Sequence, residues 1–172
     1  GQQVRDGARF AAEANGDTVV EIAEACDETD GGRIAKDILA ADAIDRDRAN
    51  ATPRAEVRLL KESGLVTLLG PRAHGGAGES WDTAYRVSRT VARGDGSIGQ
   101  LLGYHYLWAW AARLVATDDQ IAAVEELYTT NDFLFGGAVN PRDSDLVIRE
   151  DGDDLIFSGR KSFSTGGQVS DL

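Results

Sequence analysis

Residues 95–115 read Asp95-Gly96-Ser97-Ile98-Gly99-Gln100-Leu101-Leu102-Gly103-Tyr104-His105-Tyr106-Leu107-Trp108-Ala109-Trp110-Ala111-Ala112-Arg113-Leu114-Val115. Ile98, Leu101, Leu102, His105, Trp108, Ala109, Ala112 and Val115 fall on one stripe at the 3.6-residue repeat, which predicts a buried helix of about five turns. Its most apolar run, Leu107 to Ala112, ends at Arg113. That is far short of the about 20 residues a membrane-crossing helix needs, so the helix is expected inside a helical protein core.

The flanks supply the other helices. Upstream, Ser80 offers an N-cap, Ala84, Val87, Ser88 and Val91 form an inner face, and Gly94 ends the helix. Between Leu65 and Ser80 lie Gly70, Pro71, Gly75, Gly76 and Gly78, which predict a structured loop. Thr52 as N-cap with Pro53 at the first helical position opens a short helix carrying Val57 and Leu60, closed by Gly64. Ile34, Ile38, Ala41 and Ile44 predict one helix over roughly 32–48. Residues 1–30 hold a single apolar stretch, Val19 to Cys26, and are expected to form a loosely attached segment.

Downstream, Thr117 and Gln120 form a capping box for a fifth helix with Ile121, Val124, Leu127 and Tyr128 on one face, ending near Thr130. The period then changes. Phe133 to Val139 and Leu146 to Arg149 read as strands, Asp151-Gly152 as a tight turn and Leu155 to Phe157 as the returning strand. The expected class is α+β: a segment over 1–30, a helical domain over 31–130 and the start of a β domain over 131–172. The chain opens on Gly1 and stops in a strand-and-turn pattern, so it reads as a fragment.

Composition narrows the function. The 172 residues carry 42% hydrophobic and 27% charged residues, a one-domain globular balance. Eighteen Lys and Arg against 29 Asp and Glu leave a net charge of −11, which argues against unassisted nucleic-acid binding. The acidity, rich in Asp and Arg, fits a high-salt habitat or a GC-rich genome equally. Without a leader pattern or membrane span, and with Cys26 as the single cysteine, the expected setting is intracellular and cytoplasmic.

Several motifs match in letters and fail in context. Gly94-Asp95-Gly96-Ser97-Ile98-Gly99 spells a dinucleotide fingerprint, but a helix precedes it where a strand is required. Gly159-Arg160-Lys161-Ser162 lacks the upstream glycine of a phosphate loop. Cys26, His74 and His105 have no zinc-site spacing, and Asp143, Asp145, Asp151, Asp153 and Asp154 lack the calcium-loop pattern, so no metal site is expected.

What remains is a constellation in fixed order. Pro71-Arg72-Ala73-His74-Gly75-Gly76 is followed by Asp95-Gly96-Ser97 opening the helix with Gly103-Tyr104-His105, then by the hairpin ending Ser158-Gly159-Arg160-Lys161-Ser162-Phe163-Ser164-Thr165-Gly166-Gly167. From about residue 33 onward this resembles the acyl-CoA dehydrogenase superfamily and covers less than half of a complete member. Gly103-Tyr104-His105 and Lys161 to Gly166 are more similar to its flavin-dependent monooxygenases of the dibenzothiophene type, with Phe163 where dehydrogenases usually carry Trp.

The resemblance implies an all-helical domain leading into a β-barrel-like middle domain. It implies a flavin, FMN or FAD, with Phe163, Ser164 and Thr165 along one edge, Thr165 near N5, and Asn140 as a further contact. Tyr104, Trp108 and Gly137 would line the substrate pocket; related monooxygenases carry Asn where this chain has Gly137. His105 would donate a proton to a flavin C4a-hydroperoxide formed with O2, since an ordinary value near 6.5 suits transfer at neutral pH and Leu102 and Trp108 would exclude water.

Implied partners are a small organic, for example organosulfur, substrate, a flavin reductase, and copies of the chain in a homotetramer. The same residues also admit an acyl-CoA dehydrogenase that forms an enoyl thioester with FAD and an electron-transfer flavoprotein. They admit a non-catalytic helical assembly domain as well, with His105 as a core residue and Ser164 and Thr165 as ordinary strand-end hydroxyls. A half-built β domain would leave open edges, so the chain alone is expected to be inactive and poorly soluble.

Overall fold

The computed structural model describes residues 37–143 and 145–172; the readings made for residues 1–30 and for the start of the first helix lie outside them. Residues 37–40 are helical, and α1 follows at Ala43–Arg48. The single helix expected over 32–48 is therefore broken at 41–42. Asp42 leaves the helical region at φ −131°, and Arg46 reaches back to donate from Nη2 to the Leu39 carbonyl at 2.9 Å, which replaces a helical bond at the break. Leu39 enters the core, while Ile38 and Ile44 point outward.

Helix α2, Arg54–Glu62, starts from Pro53 with no side-chain cap. Thr52 is not its cap: the Thr52 hydroxyl instead donates to Gln168 Oε1 at 2.7 Å. Val57 and Leu60 face inward as expected, and Gly64 at φ +74° closes the end. The loop over 65–80 contains two short 3-10 turns, Leu65–Thr67 and Arg72–His74, the first of which is buried. The loop is compact because a Cβ on Gly76 would lie 2.8 Å from the Cα of Gly70.

Helix α3, Trp81–Gly94, is capped by Ser80, and α4, Gly96–Val115, by Asp95, whose carboxylate accepts from the Ser97 and Ile98 amides at 2.8 and 3.2 Å. The two helices meet at Gly99, where a Cβ would stand 2.6 Å from the Cα of Ala92. The fingerprint-like glycines thus serve a helix–helix turn. The buried stripe of α4 stops at Ala109: Leu114 and Val115 are exposed, and Tyr106 is buried in their place, with its hydroxyl donating to the Leu65 carbonyl at 2.8 Å. Helix α5, Asp118–Thr130, carries the Thr117–Gln120 capping box; Tyr128 and Thr129 are buried and Leu127 is not.

Leu60, Leu68, Val87, Val91, Leu102 and Leu134 lie at the centre of one core shared by the helices and the segment that follows them. Burial of each such leucine is worth about 1.5–3 kcal/mol. Strands β1, Val147–Asp151, and β2, Asp154–Ser158, pair antiparallel with Asp151 opposite Asp154. The turn is therefore Gly152-Asp153, one residue later than expected. Every residue of the hairpin is exposed.

The strand expected over Phe133 to Val139 does not form. Its backbone groups go to unlike partners: Leu134 N–H to the Asp171 carboxylate, Phe135 N–H to the His105 ring and Gly136 N–H to the Leu172 carbonyl. Only Gly137 makes a strand-like bridge, to Thr165.

Candidate functional site

An open cleft of about 790 Å³ lies between α1 with the chain up to Pro53, the N-terminal turn of α4 and residues 164–169. Arg46, Asp95, Ser97, Leu101, Ser164, Thr165 and Gln168 are among its walls. Of the residues expected at the site, the cleft gathers Ser164 and Thr165. Neither hydroxyl has a hydrogen-bond partner among the described residues, so both remain available to a ligand. Thr165 is fixed through its backbone, which exchanges bonds with Gly137 at 3.0 and 3.1 Å.

Phe163 borders this segment in an unusual state. It sits at φ +60° and is 86% exposed. A left-handed non-glycine residue costs on the order of 1–3 kcal/mol and persists only where its neighbours dictate it.

Behind Gly137 stands Trp108. A Cβ on Gly137 would lie 2.5 Å from Trp108 Cε2 and nearer still to Nε1, so the indole fills the space a side chain at 137 would need. Trp108 Nε1 is buried and has no partner among the described residues. Trp108 and Gly137 are thus brought together with Thr165, but Tyr104 is 38% exposed and none of Tyr104, Trp108 and Gly137 lines the cleft.

His105 lies in the core. It is wholly buried, and both ring nitrogens are used: Nε2 lies 2.6 Å from the Val66 carbonyl, and Nδ1 accepts the Phe135 N–H at 3.0 Å. These partners assign the proton to Nε2. Burial pushes the ring's value down to about 4, against the opposing pull of the Val66 carbonyl. The imidazole is therefore neutral at pH 7, and its single N–H is spent on the backbone, unlike the expected proton donor.

Asn140, too, makes its bonds within the protein. Its Nδ2 donates to Asp143 at 2.8 Å and to Ser162 Oγ at 3.0 Å, and its Oδ1 accepts the Arg142 N–H at 3.2 Å. Asp143, with its carboxyl held below the usual range by the Ser162 amide, is the centre of that group.

Sequence reasoning missed the ionic wall of the cleft. Arg46 pairs with Asp95 at 2.7 Å, with Glu56 at 3.5 Å and with Asp42, its side chain 15% exposed. The i,i+4 pair Asp42 and Arg46 was a legible signal; the link to Asp95, 49 residues on, was not. Burial works to raise the Asp95 carboxyl, but Arg46 and the Ile98 and Ser97 amides outweigh it and hold it low. Asp95→Ala removes the α4 cap and an Arg46 partner together, and is expected to cost about 1–2 kcal/mol in urea unfolding. Asp95→Asn, which keeps an acceptor for the two amides, should recover part of the loss.

Among the described residues, no group of three or more His, Cys, Asp and Glu could hold a metal ion, and no helix is long and apolar enough to cross a membrane. The free hydroxyls of Ser164 and Thr165 in the open cleft, with the exposed Phe163 ring beside them, fit a planar heteroaromatic group such as a flavin.

Known proteins with similar features bear on this fit. Residues 31–125 match the acyl-CoA dehydrogenase N-terminal domain. A Pseudomonas putida protein described as the probable FMNH2-dependent monooxygenase SfnC is 37% identical over 134 residues, 78% of this chain and 34% of its own length. The solved methanesulfinate monooxygenase MsuC of Pseudomonas fluorescens superposes with a TM-score of 0.76 at 34% identity, over 81% of this chain and 36% of that one. The dibenzothiophene monooxygenase TdsC of Paenibacillus sp. A11-2, solved with FMN and indole, gives 0.72 at 29% identity over 91% of this chain and 36% of its own. The chain spans about one third of the length of these relatives. Its helical half belongs to the acyl-CoA dehydrogenase family, as the N-terminal domain of that fold.

Proposed function

We propose that the protein containing this chain is an FMN-dependent monooxygenase that oxidises a small organosulfur compound, using O2 and reduced flavin delivered by a separate flavin reductase. The observation that carries the reading is the segment Phe163-Ser164-Thr165, a held-out ring and two free hydroxyls beside an open cleft, in a chain whose relatives are named as FMNH2-dependent, methanesulfinate and dibenzothiophene monooxygenases. Bound reduced FMN would supply the electrons that activate O2.

The chain's own residues then have separate tasks. Phe163 stacks on the ring system, and Ser164 and Thr165 bind its polar edge. Leu101, in the cleft wall, excludes water from the substrate side. His105 holds the 135–137 segment in place through its two backbone bonds and carries no proton to the reaction. The transferred proton comes from a group other than His105.

The test is oxygen-18 labelling of the full-length protein with reduced FMN and either methanesulfinate or dibenzothiophene. One labelled atom in the product supports the reading. Absence of label, with bleaching of bound flavin by an acyl-CoA thioester, would replace it with the dehydrogenase reading.

A further inference from the structure

Asp143 gathers three donors. Its carboxylate accepts from the Ser162 amide at 2.6 Å, from the Ser162 hydroxyl at 2.8 and 2.9 Å, and from Asn140 Nδ2 at 2.8 Å. Asn140 in turn donates to Ser162 Oγ, and its carbonyl takes the Lys161 ammonium at 2.7 Å. The group ties the 140–143 turn to residues 161 and 162, nineteen positions away, and none of its members is in the hydrophobic core. Core burial does not explain it.

Its position does. Ser162 directly precedes Phe163, and two residues later Thr165 is fastened to Gly137 by two backbone bonds. Phe163 and Ser164 therefore form a two-residue bow between fixed points, and the bow contains the left-handed residue with the exposed ring. Cut free at Ser162, Phe163 would relax to negative φ and swing its ring away, because the remaining anchors, the Gly167 N–H on the Ser164 carbonyl at 3.4 Å and the Thr165–Gly137 pair, all lie on its far side. Charge-assisted bonds to a carboxylate are the strong kind, and Asp143 supplies them at the one residue that sets the entry to the bow.

We propose that Asp143, through Ser162 and Asn140, is a positioning residue that holds Phe163 in its left-handed conformation and so presents the ring to a planar aromatic ligand. The ligand's identity as flavin rests on the function proposed above. Asn140 belongs to this device and is not itself a ligand contact.

The experiment uses the full-length protein. Amide exchange without ligand and FMN titration by fluorescence are compared for the wild type, Asp143→Ala, Ser162→Ala, Phe163→Gly and the double variant Asp143→Ala/Phe163→Gly. Asp143→Ala is expected to speed exchange at residues 162–165 and to weaken FMN about tenfold, while the melting temperature stays near that of the wild type. Ser162→Ala, which keeps the amide and loses the hydroxyl, should show a smaller effect in the same direction. Glycine adopts positive φ freely, so Asp143→Ala in the Phe163→Gly background should cost much less affinity than it does alone.

Unchanged exchange at 162–165 in both Asp143→Ala and Ser162→Ala overturns the clamp. So does a strictly additive double variant. Should Asp143→Ala not fold, Ser162→Ala decides by the same two readouts. A wild type that takes up no FMN overturns the flavin reading and removes the clamp's proposed ligand; the ligand-free exchange result still separates that failure from failure of the clamp.

Discussion

His105→Ala is expected to lower stability by about 2–6 kcal/mol, because it strands two buried backbone groups, the Val66 carbonyl and the Phe135 N–H, each costing on the order of 1–3 kcal/mol unpaired. The core cavity left by the ring adds to the loss. His105→Gln, which keeps a donor for Val66 and abandons Phe135, should fall between the two. Urea unfolding of the three proteins at pH 7.5 measures the order. A variant as stable as the wild type that has lost only turnover would return His105 to the role of proton donor.

The same ring predicts a pH slope. Its value is about 4 in the folded protein against an ordinary 6.5, so the unfolded chain binds a proton first as pH falls. Its contribution is therefore complete above about pH 6.5, declines as pH falls towards 4, and amounts to about 3 kcal/mol across that window. His105→Ala should flatten this part of the wild-type profile. Acid loss from Asp95, whose carboxyl is held low, sets in at lower pH and should persist in the variant.

Gly137→Ala is the second large effect. The new methyl would run into the Trp108 indole, and Gly137 cannot retreat because both its N–H and its carbonyl are bonded to Thr165. Overpacking of this kind costs about 1–3 kcal/mol. The loss should come with weaker FMN binding, since any shift of Gly137 moves Thr165. Trp108→Phe is the companion measurement. It removes a buried N–H without a partner, so it should be close to neutral in stability. Weaker FMN or substrate binding in that variant would show that the indole supports the Gly137–Thr165 pair.

How far the sequence was legible follows from the range of the interactions involved. Helices α3, α4 and α5 were readable from local signals: Ser80, Asp95 and the Thr117–Gln120 box act within three residues, and the stripe of α4 shows through its periodicity. The family was readable too, because its motifs are short. The break in the first helix was not, since Arg46 is drawn to Leu39, Glu56 and Asp95 at once and no window of sequence contains all of them. Thr52 has the letter of a cap but finds Gln168, and Phe133 to Val139 has the composition of a strand but lacks a continuous partner.

At the site, residue types were legible and roles were not. Ser164 and Thr165 stand in the cleft, and Gly137 joins Thr165 to Trp108 behind it. His105 and Asn140 stand nearby, with their polar atoms bonded to the protein. Asp143 read only as one of five aspartates without a calcium-loop pattern, yet its partners, Asn140 three residues away and Ser162 nineteen away, make it the centre of a polar group. Only the folded chain shows which polar atoms remain free.

The most direct test of the account is amide exchange of the full-length protein with and without FMN. Protection over residues 160–169 and 135–139 is the result it predicts. FMN binding that protects other segments and leaves these two unchanged would contradict it.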